Sequence, residues 1–162
     1  ATPTNNNATA DSRLDRADRN FIERAAHNGH AEVEASKLAL TKAKSPEVRA
    51  FAEQMVKDHT QANQELAALA RARGVTPPDE PSLVQKGKQK LLLDTADGDD
   101  FDRRYAESMG LEAHQDTIEL FEKASREVKD PELRAFATNK LPALRHHMDM
   151  ARKLPQNAGK KP

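Results

Sequence analysis

Ser45-Pro46-Glu47-Val48-Arg49-Ala50-Phe51-Ala52 recurs 85 positions later as Asp130-Pro131-Glu132-Leu133-Arg134-Ala135-Phe136-Ala137. Each copy spells out a helix start. Ser or Asp caps free backbone N–H groups, Pro occupies the first helical position, and Glu complements the positive end of the helix dipole. Arg-Ala-Phe-Ala then follows in both copies, which cap chemistry does not require. The match points to two duplicated helical hairpins.

Outward from these starts, four long helices are expected. Helix A covers Asp15 to Ala43 and helix B follows the Ser45 cap to about Arg73. Helix C runs from Asp99-Asp100 to Val128, and helix D from the Asp130 cap to Lys153. Gly74 stops the second helix, Pro77, Pro78 and Pro81 block its restart, and Pro155 follows the fourth. The A–B and C–D links are tight, whereas about 25 residues separate B from C and carry a short amphipathic stretch, Leu83-Val84 to Leu91-Leu92-Leu93. Two hairpins joined by a long crossover make an all-α, ferritin-like four-helix bundle. It is expected over residues 15–154, between disordered tails at 1–14 and 155–162.

Composition agrees with helices and removes several functions. Hydrophobic residues make up 36% and charged residues 32%, and 26 basic residues balance 26 acidic ones. With no Trp, one Tyr and no basic stripe, no nucleic-acid surface is expected. The absence of Cys excludes disulfides, thiolate catalysis and a Cys-based zinc site. No apolar run reaches the roughly 20 residues that span a bilayer, so no transmembrane segment is expected. The chain opens on Ala1 and a polar stretch, Thr2 to Thr9, which reads as the mature end of an exported protein, periplasmic or otherwise in the bacterial envelope.

The six histidines sort by helical geometry. Advancing about 100° per residue places His59, His114 and His147 on the apolar faces of helices B, C and D, and Glu32 on that of helix A. His27, His30 and His146 fall on the solvent side, with Pro142 able to kink helix D and shift the assignment there. The apolar face of helix A is read as Phe21, Ala25, Gly29, Val33, Ser36, Ala39 and Leu40. Counting rise from the turns puts all four inward groups near the middle of the bundle. Gly29 and Ser36 flank Glu32 and leave room beside it.

Buried polar groups are costly unless paired or bound to metal. Neutral imidazoles and an ionised carboxylate form a first shell for a transition metal, with zinc or copper ahead of iron or manganese. Glu32, His59, His114 and His147 are therefore the expected ligands of one ion. Met55 and Met148, near His59 and His147, read as core filling, and His27, His30, Glu23 and Glu34 as a solvated face. Three readings stay open: a metal-binding envelope protein acting in homeostasis or stress; a metal-dependent oxidase or peroxide-handling enzyme; and a metal-free structural or interaction module with a buried His/Glu network. A protein partner is not specified.

The runs Phe21 to Glu34, Ser45 to Ala52, Met55 to His59, Phe101 to Tyr105, Glu112 to His114 and Leu141 to Met148 resemble the bacterial domain-of-unknown-function family numbered four-one-four-two. The resemblance covers about Asp15 to Leu154. It implies a ferritin-like four-helix fold, export to the periplasm or cell envelope, and an outer-membrane-protein label. Its recurrent polar positions match Glu32, His59, His114 and His147. Di-iron bundles use Glu-x-x-His, which this chain lacks, so a mononuclear zinc or copper site suits it better.

Overall fold

A computed structural model describes residues 14–155, and both expected tails lie outside them apart from their innermost residues, Leu14 and Pro155. The described residues are all helical, without strands. Helix α1 spans Arg16–Lys42, α2 Pro46–Ala72, α3 Leu83–Gln89, α4 Gly98–Tyr105, α5 Ala113–Glu127 and α6 Pro131–Arg152. Wider π-helical turns continue α3 over Lys90–Asp94 and join α4 to α5 over Ala106–Glu112. The described residues therefore form four long rods, the third built from α4, its π segment and α5. α1 packs on α2 and α5, and α6 packs on α5 and α2. Helix α6 runs unbroken through Pro142.

The repeated starts behave as read: Ser45 Oγ accepts the N–H groups of Glu47 and Val48, and Asp130 Oδ2 accepts that of Leu133. The duplication reaches further than the eight-residue match. Asp18 and Asp102, 84 positions apart, are both buried. Asp18 accepts the backbone N–H groups of Lys129 and Asp130 at 2.9 and 3.1 Å. Asp102 accepts those of Lys44 and Ser45 at 3.0 and 2.8 Å. Each carboxylate at the start of one hairpin thus holds the turn of the other, which places the two turns at opposite ends. Arg49 and Arg134 each donate to the last carbonyls of the preceding helix, on Ala43 and Val128.

Two apolar cores fill the ends. One gathers Phe21, Phe121 and Phe136, and the other Phe51, Phe101 and Tyr105. The edge-on pair Phe21–Phe136 has its counterpart in Tyr105–Phe51, at centroid separations of 6.3 and 6.1 Å. Leu40, expected in the core, is 38% exposed. It lies at the margin of the helical arc, beyond the reach of neighbouring rods. The crossover lies along α1. His27 Nδ1 donates to the Glu80 carbonyl, Gln85 Nε2 to Asn28 Oδ1, and Lys42 Nζ to the carbonyls of Leu93, Asp94 and Ala96.

Replacing Asp102 by Ala strands two backbone donors, and hydrogen bonds to a charged acceptor are worth about 1.5–3 kcal/mol each. Asp102→Ala should lower the unfolding free energy by about 2–4 kcal/mol in urea titration, whereas Asp97→Ala, on the exposed surface, should change it by under ~0.5 kcal/mol.

Candidate metal centre

Between the two apolar cores lies a polar layer. His59 from α2, His114 from α5 and His147 from α6 are buried there, at 8%, 1% and 4% exposure, with Glu32 from α1 at 3%. One ring nitrogen from each histidine lies within 4.8 Å of the other two, close enough for one ion to bridge all three. The Nε2 atoms of His59 and His114 are 3.4 Å apart. Glu32 stands to one side, its Oε1 3.8 Å from His114 Nδ1. Of the other histidines, His146 is exposed, and His27 and His30 are half-buried against the crossover. Met55 and Met148 sit in the apolar cores and do not border the site cavity.

The ring orientations are fixed from outside the triad. His114 Nδ1 donates to the Met109 carbonyl at 2.8 Å, which leaves Nε2 as the nitrogen with a free lone pair. That carbonyl belongs to the π segment. From Asp18 to Ala43 the first rod advances 25 positions, and from Asp102 to Val128 the third advances 26. The equivalence of Phe21 with Tyr105, before the segment, confines the extra residue to 106–128, where Ala106–Glu112 widens to a π turn. The π turn accommodates the insertion and turns a carbonyl toward an imidazole. His147 is held differently. Its Nε2 meets Asp58 Oδ2 at 2.8 Å, the arrangement in which a carboxylate orients a ligating ring.

Burial sets the charge state. Removal from water pushes the His59 imidazole well below its ordinary pKa, helped by the two neighbouring rings. The same cause takes His114 down to about 4 and outweighs the carbonyl bond from Met109. His147 is also lowered by burial, against the upward pull of Asp58. Burial raises Glu32 well above the carboxylate range, although a hydrogen bond with Ser36 opposes it. Ser36 Oγ in turn lies 2.6 Å from the Tyr105 hydroxyl. At neutral pH the layer thus holds three neutral imidazoles beside a carboxyl that burial shifts toward its protonated form. Glu32 Oε2 and His147 Nδ1 are the two fully buried side-chain polar atoms, among the described residues, that have no hydrogen-bond partner.

A cavity of about 230 Å³ adjoins the layer, bordered by Gly29, Ala62, Asn63, Thr117 and Leu144 as well as by the four polar residues. Gly29 lets the Asn63 side chain lie close against the helix: a Cβ would stand 1.9 Å from Asn63 Oδ1 and push that side chain aside. Helical periodicity supplied the three histidines and Glu32. It did not single out Asp58, Met109 or the buried pair Asp18 and Asp102. A signal for the last pair existed: Asp18-Arg19-Asn20-Phe21 and Asp102-Arg103-Arg104-Tyr105 share Asp-Arg followed by an aromatic residue.

Known structures share this fold. CopM in its Cu(II)-bound form superposes with a TM-score of 0.69 at 17% identity, covering 82% of this chain and 91% of CopM. Its silver-soaked form gives 0.66 at 18% identity, covering 83% and 90%. A conserved hypothetical protein from Mycobacterium tuberculosis, rv2844, gives 0.64 at 17% identity, covering 96% and 95%. At these identities the likeness establishes the fold alone. No curated protein matches the chain in sequence. The family model for the domain of unknown function DUF4142 matches residues 3–154, and the chain belongs to that family.

Proposed function

We propose that the protein binds one transition-metal ion in the polar layer, and that holding this ion is its function. The observation that carries the reading is the pair of orphaned atoms. Glu32 Oε2 and His147 Nδ1 are buried without partners; His147 belongs to the triad whose three nitrogens one ion can bridge, and Glu32 stands beside it, its Oε1 3.8 Å from His114 Nδ1. A closed His/Glu network without metal would leave both unsatisfied, at roughly 1–3 kcal/mol each. The donors in this reading would be Nε2 of His59 and of His114, Nδ1 of His147, and the Glu32 carboxylate beside them. Met109 and Asp58 orient two of the rings from behind.

Three imidazoles and one carboxylate suit copper or zinc, ahead of iron or manganese. That CopM is known with Cu(II) and with silver bound makes copper the first metal to test. The order of the rods, with two hairpins and a long crossover, supports a ferritin-like layout. No helix among the described residues is long and apolar enough to cross a membrane. With the family resemblance, we place the protein in the bacterial envelope, in metal homeostasis or stress.

Protein purified without chelator or a metal-affinity column should carry about one equivalent of copper or zinc by mass spectrometry, or take it up on titration. His59→Ala should reduce uptake below about a tenth of an equivalent, and His30→Ala should leave it unchanged. Equal losses in the two variants would refute the assignment. Asp58→Ala, which removes only the carboxylate behind His147, should weaken affinity about 10–100-fold without changing the stoichiometry.

The metal-free protein should respond to acid in a stated direction. The three imidazoles have folded pKa values below the unfolded 6.5. Their contribution is therefore intact above 6.5 and lost as pH falls toward the folded values, to about 4 for His114. Glu32 has the opposite sign, since its raised pKa costs stability once the unfolded carboxyl ionises. Urea midpoints should fall across this acid window, and Glu32→Gln should raise the midpoint of the metal-free protein at pH 8 while leaving it nearly unchanged at pH 4.

A further inference from the structure

The crossover helix is amphipathic in an unexpected sense, because its apolar face looks outward. Leu83, Val84 and Leu91 are 85%, 74% and 73% exposed. Among the described residues only Leu40 joins them as an exposed large hydrophobic side chain. The opposite face, with Gln85, Gln89 and Leu93, meets the bundle. The helix is firmly placed, by the reciprocal capping box of Ser82 and Gln85, by the bond from Gln85 to Asn28, and by Lys42 on the carbonyls at its far end. The outward face is therefore a fixed feature of the surface.

Lysines border it. Lys88 and Lys90 flank the apolar residues on either side, exposed and without an ion pair among the described residues. Lys86, further round, pairs with Glu80. Asp94 closes the segment, and Glu112 and Asp116 of the third rod stand across a small cleft from Lys88. The free cationic charge thus lies beside the exposed leucines and valine, and the carboxylates lie behind it or at its end.

We propose that this face docks the protein on an anionic phospholipid surface. Leu83, Val84 and Leu91 enter the boundary between headgroups and acyl chains, while Lys88 and Lys90 reach the phosphates. A helix packed on the bundle by one face and apolar on the other lies parallel to such a surface without rearrangement. A second copy of the chain is a poorer occupant. Stable protein interfaces engage roughly 20–30 residues a side, far more than this narrow strip offers. The inference is independent of the metal centre.

Co-sedimentation of the full chain with vesicles tests it. The protein should pellet with mixed phosphatidylglycerol–phosphatidylcholine vesicles at low salt and remain in solution with phosphatidylcholine alone. Lys88→Gln with Lys90→Gln should weaken the partition by roughly fivefold per lysine. Leu83→Ser, Val84→Ser and Leu91→Ser together should abolish it, with helical content and urea midpoint retained. These side chains are exposed, so the variant is expected to fold. A wild-type chain that stays in the supernatant, or a serine variant that still pellets, overturns the proposal. So does a concentration-dependent dimer in analytical ultracentrifugation that the serine variant dissolves, which assigns the face to a second copy.

Discussion

Two buried carboxylates set the register of the bundle. Asp18 and Asp102, both buried, each take two backbone N–H groups from the turn of the opposite hairpin. A hairpin that slid along its neighbour by one residue would strand both donors and leave a buried acceptor unpaired. The vertical position of every side chain follows from this grip. His59, 14 residues after Ser45, and His114, 14 before Val128, meet at one level because the two turns are held at opposite ends. The polar layer rests on that alignment, since a one-residue slip would displace the two Nε2 atoms, 3.4 Å apart, by about 1.5 Å along the bundle.

The scaffold is duplicated but the chemistry is not. The same carboxylate grip, arginine cap and edge-on aromatic pair occur in both halves. The π turn then offsets the third rod by one residue and directs the Met109 carbonyl to His114. The first rod, without that turn, has no equivalent. The orientation of the His114 ring thus depends on a local departure from repetition, and the remaining symmetry supplies stiffness at both ends. Desolvation acts on the whole layer at once, lowering the imidazole pKa values and raising that of Glu32, so a cation entering it meets little competition from protons on the rings.

Helical periodicity was enough to bring Glu32, His59, His114 and His147 inside and leave His146 outward, because the helices are long and regular; His27 and His30 face away from the centre but are half-buried under the crossover, which the wheel of one helix does not show. Cap chemistry located the turns to within a residue or so. What escaped the reading depended on tertiary contact. Asp58 is half-exposed on its own helix and gains meaning only through His147 on another. The π turn is an insertion of one residue, visible only after both rods are aligned on their turns. Leu83 and Val84 show that periodicity finds an apolar face without saying whether protein or solvent will meet it. Leu40 fails for a related reason, as its position on the helical wheel did not guarantee a neighbour.

Carrying the duplication through the centre gives the cavity an origin. Past the π turn, His114 aligns with Gly29 and Glu32 with Thr117, while His147 aligns with Ala62 and His59 with Leu144. All four counterparts border the cavity. One member of each equivalent pair carries a donor atom, and the other carries a small or apolar group. The hollow is the mirror position of the centre, with its functional groups removed. A repeat that must keep both ends identical to stay folded is free to differ in its middle, and there division of labour between two copies yields a shell of donors on one side and open volume on the other.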